Sequence, residues 1–321
     1  MIVFRDPAEV PAGFGPSVVA IGKFDGVHSG HRAVIDRARV AAMDDGARVV
    51  AVTFDRNPLA LLRPDRCPEP LVSVDQKIAL LAEAGVDAVL VLRFDEELAA
   101  LAPEEFAQRI LVDALHAVCV MVGVDFRFGR GGAGDPAFLT TFGETHGFTV
   151  DVVGDVQGGG RRVSSTWVRE MLAAGQVEDA ARLLGRPHAV RAEVVHGLKR
   201  GRELGYPTAN LSTDAEGFIP ADGVYAGWLI DEGTDAGRVR AATRYPAAVS
   251  VGTNPTFDDV PQRQVEAYVL DETGLDLYGH TVQVQFTARI RGMVRFEGIE
   301  ALIERMDADV AEVRAALQPG A

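Results

Sequence analysis

At Gly185-Arg186-Pro187 the hydrophobic period of this chain changes, and no other feature limits its fold so strongly. Upstream, short apolar runs alternate with amphipathic stretches. Val18–Ile21, Arg48–Phe54, Ala88–Arg93, Ala117–Val122 and Phe148–Val153 read as strands. The stretches between them carry helix signals. Ser73 with Gln76 is a capping box, closed by Gly85, and Pro103 followed by Glu104 and Glu105 opens another helix with its acids at the favoured end. Gly46 and Gly147 each fall just past a helical stretch. Alternating strand and helix predicts an α/β domain with a parallel sheet. Two short helices follow between Ser164 and Leu184. Beyond the breaker the period is two: Val190–His196, Val224–Asp231, Ala247–Val251, Val265–Asp271 and Val282–Ile290, separated by Gly, Pro and Asp clusters. That pattern predicts an antiparallel sheet or small β-barrel, finished by an amphipathic terminal helix from Ile299 to Leu317. The expected domains are residues 1–186 and 187–321, a size at which each can bury a core of its own.

Charge and cysteine usage narrow the partners. Lys and Arg total 32 against 46 Asp and Glu, a net charge of −14, which would repel a nucleic-acid backbone but not a small anion held at a local positive site. Cys67 and Cys119 are far apart and in no metal-ligand spacing, as expected in a reducing compartment. The apolar runs are strand-sized, and Met1–Pro7 lacks the features of a signal peptide. The expectation is a cytoplasmic protein with no membrane partner. The sequence carries no signal of oligomeric state.

The first strand ends in Gly22-Lys23-Phe24-Asp25-Gly26-Val27-His28-Ser29-Gly30-His31, and a helix follows at once. In α/β sheets ligands bind at the carboxyl ends of strands, where helix N-termini offer free N–H donors. His28 and His31, three apart at a helix start, point the same way, and Gly30 leaves room for a phosphate. A glycine-rich turn with two solvated histidines is the plainer alternative. Past the last strand of this half lies Arg161-Arg162-Val163-Ser164-Ser165-Thr166-Trp167-Val168-Arg169, in which Ser165 and Thr166 at a helix start, with Arg169 one turn on, suit phosphate oxygens. Together the two strings resemble the nucleotidylyltransferase superfamily, whose H-x-G-H motif and later Ser/Thr-rich helix start grip ATP. That resemblance makes the expected α/β domain Rossmann-like and places Gly22, Phe24 and Asp25 with the histidines on the ATP side. No G-x-x-x-x-G-K-[ST] string occurs, so a P-loop is excluded. Gly129–Gly134 matches G-x-G-x-x-G but does not bridge directly from strand to helix. Asp125, Phe126 and Phe128 follow a strand and read as a substrate loop, with the aromatics either stacking on a planar ring or filling the core.

The second half opens with His196-Gly197-Leu198-Lys199-Arg200-Gly201-Arg202-Glu203-Leu204-Gly205-Tyr206-Pro207-Thr208-Ala209-Asn210. Gly197, Lys199 and Gly201 belong to a glycine- and base-rich loop suited to phosphate. Thr208 and Asn210 are hard oxygen donors two apart, which in an extended segment share a side and suit Mg²⁺; the same string is also a common turn. Glu266 sits between apolar neighbours on a strand, where an ordinary exposed-face glutamate is equally expected. The order of these strings, with Gly252-Thr253-Asn254-Pro255-Thr256-Phe257 and Val265-Glu266-Ala267-Tyr268-Val269-Leu270-Asp271, resembles the riboflavin kinase domain. Preceded by the H-x-G-H half, the chain is similar nearly end to end to the bifunctional riboflavin kinase/FAD synthetase family. The resemblance implies ATP-dependent synthesis of FMN from riboflavin and then of FAD, with Thr208 and Asn210 holding Mg²⁺–ATP and Glu266 as catalytic base. It implies that His28, His31, Ser165, Thr166 and Arg169 bind the ATP phosphates of the transferase and that Asp125 serves the flavin side. There are two departures from the family pattern: Arg56-Asn57, where many relatives have Pro-His, and Tyr268, where histidine is frequent.

Overall fold

The structure is a computed structural model describing residues 1–197, 206–235, 238–239, 242–253, 263–272 and 274–318. It divides into two compact units, Met1–Ser165 and Thr166–Ala321.

The first unit is built on six parallel strands: β1 Ile2–Phe4, β2 Ser17–Ile21, β3 Arg48–Phe54, β4 Ala88–Leu92, β5 Ala117–Gly123 and β6 Thr149–Val153, in the order β1-β4-β3-β2-β5-β6. β2 and β4 are buried at every residue because helices cover both faces of the sheet, so they read as unbroken apolar runs. One core cluster gathers Val19, Ile21, Val50, Leu90 and Val120, the other Val18, Ala20, Ala51, Val89 and Met121. The predicted caps are present: Ser73 and Gln76 close their capping box, and Gly46 and Gly147 end their helices in the left-handed conformation. The chain runs from β2 outward through β3 and β4, then returns to pair β5 on the other side of β2. The crevice at the carboxyl ends of β2 and β5 is therefore the switch point where α/β sheets bind ligands. A short hairpin, β7 Gln157–Gly158 and β8 Arg161–Arg162, follows β6.

The second unit contains the helices Ser165–Ala173, from Thr166 onward, and Val177–Leu184, then a closed antiparallel barrel. Its strands are β9 His188–Val195, β10 Thr208–Leu211, β11 Gly223–Asp231, β14 Thr243–Thr253, β15 Arg263–Val269 and β16 Thr281–Arg291, ordered β10-β15-β14-β11-β16-β9; β12 Thr234–Asp235 and β13 Arg238–Val239 form a small separate hairpin. Alternate residues such as Val190, Leu211, Val249, Ala267 and Val284 fill the interior. The terminal helix Ile299–Leu317 packs Val310 and Val313 against Ala226, Ala248 and Tyr268. Arg291 forks onto buried Asp309 with its shortest bond at 2.7 Å, anchoring that helix.

Candidate active sites

In the first unit, β2 leads into a loop that is held from several sides through backbone and side chain. Gly22 N–H donates to Val52 O, Leu71 N–H donates to Asp25 Oδ1 at 2.8 Å, and Ser165 Oγ donates to Asp25 O at 2.8 Å. Phe24 and Val27 have φ of 48° and 40°, conformations that cost a non-glycine residue about 1–3 kcal/mol each and persist only where the surroundings impose them. The Phe24 ring lies in the core, edge-on to His31 at 5.3 Å.

His28 caps the helix Ser29–Asp45, its Nδ1 accepting a long bond of 3.4 Å from His31 N–H. The rings of His28 and His31 stack at 3.7 Å. A side chain at position 30 would stand 3.2 Å from the His28 imidazole, so Gly30 gives the capping ring its place. His31 Nδ1 is buried without a hydrogen-bond partner among the described residues. Burial, and next the charges of His28, Lys77, Lys23 and Arg162, push its pKa well below the ordinary value, so the imidazole is neutral.

Across the crevice, beyond β5, Asp125 is gripped by Arg162, which also bonds Asp155 at 2.9 Å. The guanidinium holds the Asp125 carboxyl below the usual carboxylate range. Phe128 is a core residue, 8% exposed, and supports the half-buried Phe126 in a stacked pair at 5.5 Å. Thr166 is exposed near the start of the helix Ser165–Ala173, with half-buried Arg169 one turn later, both in the second unit. Two residues without an assigned sequence role prove central to the first unit: Arg162, quoted within its motif, and Lys77, one of three lysines in the chain.

In the barrel, β10 pairs with β15 so that Thr208 faces Tyr268 and Asn210 faces Glu266, while β14 places Ser250 on the other side of Glu266. Ala209, Leu211, Val265 and Ala267 point into the core, so the polar set shares the outer face. Asn210 Nδ2 donates to Thr208 O at 3.1 Å and Thr208 Oγ1 at 3.3 Å, and Thr208 hydrogen-bonds the Glu266 carboxylate. Burial raises the Glu266 pKa, with the Thr208 bond opposing it. Gly197 backs directly onto Asn210: a Cβ there would lie 2.5 Å from the amide carbon. Lys199, Gly201 and the Asn254–Phe257 string lie outside the described residues. Tyr268, the departure from histidine, packs against the terminal helix's core and meets Tyr206 edge-on at 5.2 Å; Tyr206 in turn donates to Asp307 of that helix.

A parallel sheet with a built loop at its switch point, joined in one chain to a barrel carrying a carboxylate among oxygen donors, defines a two-unit nucleotide-dependent transferase. The FAD synthetase family model matches residues 12–167 and the riboflavin kinase model residues 184–317. The chain is 38% identical to the bifunctional riboflavin kinase/FMN adenylyltransferase of Pseudomonas fluorescens, over 95% of this chain and 94% of that one. It is 37% identical to the protein of the same description from Escherichia coli strain K12, over 92% and 91%. A solved structure described as a macrolide-efflux protein from Streptococcus pneumoniae aligns with a TM-score of 0.84 at 31% identity, covering 98% of each chain. Among the described residues no helix is long and apolar enough to cross a membrane. The chain belongs to the bifunctional riboflavin kinase/FMN adenylyltransferase family.

Proposed function

We infer that this chain phosphorylates riboflavin to FMN in the barrel and adenylylates FMN to FAD in the α/β unit, using ATP for both. The observation that carries the reading is the facing pair Asn210–Glu266, which sets a carboxylate beside oxygen donors on the barrel's outer face. The 5′-hydroxyl of riboflavin is a weak nucleophile, and Glu266, made more basic by burial, takes its proton as the γ-phosphoryl group transfers.

Thr208 and Asn210 fit a Mg²⁺ ion. The Asn210 amide spends its N–H on Thr208, which leaves its oxygen as the hard ligand atom, and Mg²⁺ takes few protein ligands besides phosphate and water. When bound, the ion neutralises phosphate charge. Gly197, Lys199 and Gly201 complete the ATP side of this site.

In the α/β unit the FMN phosphate attacks the α-phosphorus of ATP and pyrophosphate leaves. That nucleophile is already an anion, so the site needs hydrogen-bond donors rather than a base. His28 and neutral His31 supply them to the phosphates, with Gly22, Phe24 and Asp25 shaping the loop and Ser165, Thr166 and Arg169 holding the rest of the triphosphate. Asp125 and Phe126, backed by Phe128, take the flavin side. The domains are drawn at 1–186 for adenylyl transfer and 187–321 for the kinase. The acidic charge and two free thiols favour a cytoplasmic enzyme of small molecules, without nucleic-acid or membrane partners.

The test is incubation of the purified chain with riboflavin and Mg-ATP, resolving flavins by chromatography. FMN followed by FAD is expected. Product stopping at FMN removes the transferase assignment, and absence of FMN removes the kinase.

A further inference from the structure

Lys77 is out of place by composition: it lies on the buried side of the helix Val74–Glu83, one turn before Leu81, and is 8% exposed. A buried ammonium is costly unless fully hydrogen-bonded, so its partners report what it is for. Its Nζ donates to Phe54 O at 2.8 Å and to Lys23 O at 3.3 Å. Phe54 ends β3 and Lys23 stands just past the end of β2, so one side chain ties the ends of two adjacent parallel strands. Thr53 Oγ1 donates to the same Lys23 carbonyl at 3.1 Å. The next residue is Phe24, held in the left-handed region, and Val27 shares that conformation just before the capping His28.

We propose that Lys77 is a positioning residue for adenylyl transfer, holding the loop 22–28 in the conformation that presents His28 and His31 to the nucleotide. The inference rests on the transferase reading and deepens it. Lys77 acts on the reaction through the Lys23 carbonyl and the strained backbone beside it. The charged groups facing it are Asp25 on the loop and Asp55 beyond β3, which favour its charged form; His31 on the following helix and Lys23 complete its surroundings. Burial lowers the Lys77 pKa to about 8 against the pull of those carboxylates, so the tie loses its charge at mildly alkaline pH. FAD formation should then carry an alkaline limb near pH 8 that riboflavin phosphorylation lacks.

The experiment uses the full chain and follows both reactions side by side, with thermal melts. Wild-type protein that makes FMN but no FAD overturns the transferase reading itself; the remaining outcomes bear on Lys77 alone. Lys77→Met should lower kcat for FAD formation about 10²-fold, the scale of a misplacement of about 1 Å, and erase the alkaline limb while the kinase rate holds. Lys77→Arg, which keeps the charge and donors, should recover part of the rate without that limb. Wild-type turnover in Lys77→Met, or equal loss of both reactions, overturns the proposal. Should the variants fail to fold, the wild-type profiles decide: no limb near pH 8 in FAD formation, or one shared by the kinase, overturns it.

Discussion

Arg162 forks onto both carboxylate oxygens of Asp125, at 2.9 and 3.0 Å, and so ties the β7–β8 hairpin to the loop beyond β5. The Asp125 side chain is 66% exposed, and an exposed ion pair is worth only about 0–1 kcal/mol. Arg162→Ala should therefore leave the melting temperature almost unchanged while loosening the loop beyond β5, proposed above to take the flavin. A raised KM for FMN with intact thermal stability is the expected signature. A variant that loses stability and keeps its KM would make the pair structural.

Glu266→Gln should slow FMN formation roughly 10²–10⁴-fold, the usual contribution of a general base, and leave conversion of supplied FMN to FAD nearly unchanged. Because burial raises the Glu266 pKa, the acid limb of the wild-type kinase rate should lie above the ordinary carboxylate range and vanish in the variant. Steady-state rates across pH decide; a near-normal kinase rate would leave Glu266 with a structural role.

On the phosphate-binding role proposed above, His28→Ala and His31→Ala should each cut FAD formation on the order of 10²–10³-fold, mainly in kcat, because such donors matter most as charge shifts between phosphates. Riboflavin phosphorylation should survive in both. His28→Ala also removes a helix cap, at about 0.5–2 kcal/mol, so its melting temperature should fall as well. Unchanged FAD formation in a folded His31→Ala chain would contradict the phosphate-binding role.

The helix Val177–Leu184 buries Val177, Ala180, Leu183 and Leu184 and packs against β9 and β16, while Glu178 accepts from Arg289 N–H at 3.0 Å. A fragment beginning at Thr166 should therefore fold and retain kinase activity. One beginning at Pro187 should be less stable, since each fully buried Val or Leu contributes about 1.5–3 kcal/mol. Denaturant titration of the two fragments compares them directly; equal stability would show that the helix adds nothing to the barrel.

His188 is buried with Nε2 donating to Phe218 O at 2.7 Å, and burial lowers its pKa to about 4 from 6.5. Above pH 6.5 it is neutral both folded and unfolded, and contributes no pH dependence. Between 6.5 and about 4 the unfolded chain takes up a proton that the folded chain refuses, so stability falls as pH falls, by up to about 1.4 kcal/mol per unit. His188→Gln should flatten that acid slope in thermal melts of the barrel fragment. An unchanged slope would mean other groups control it.

Strands covered on both faces were legible because continuous apolar runs have few other uses; β2 to β5 fall within a residue of their expected positions, as does the more exposed edge strand β6. The edge strand β1 was not, since three residues with Ile2 and Val3 exposed carry no period. β10 was ambiguous for a different reason. Thr208-Ala209-Asn210 reads as turn or strand until its partner is known, and the partner, β15, lies far along the chain. Among site residues, motif spacing pointed to His28 and Asn210, and the family resemblance to Glu266, without revealing that the last two face each other. Gly30 was expected to make room for phosphate, and its lack of a side chain also accommodates a neighbouring imidazole. Lys77 left no trace because a lysine in an amphipathic helix reads as solvent-facing; only its bonds to two carbonyls mark it.

The alternation across β10 and β15 sorts genetic variation by residue number. Odd positions, Ala209, Leu211, Val265, Ala267 and Val269, are interior, and even ones, Thr208, Asn210, Glu266 and Tyr268, are not. In a saturation library scored for both protein abundance and riboflavin-dependent growth, substitutions at odd positions should deplete abundance. Those at 208, 210 and 266 should spare abundance and deplete growth. Selection can thus act on turnover and on folding nearly independently, within two strands only a few residues long.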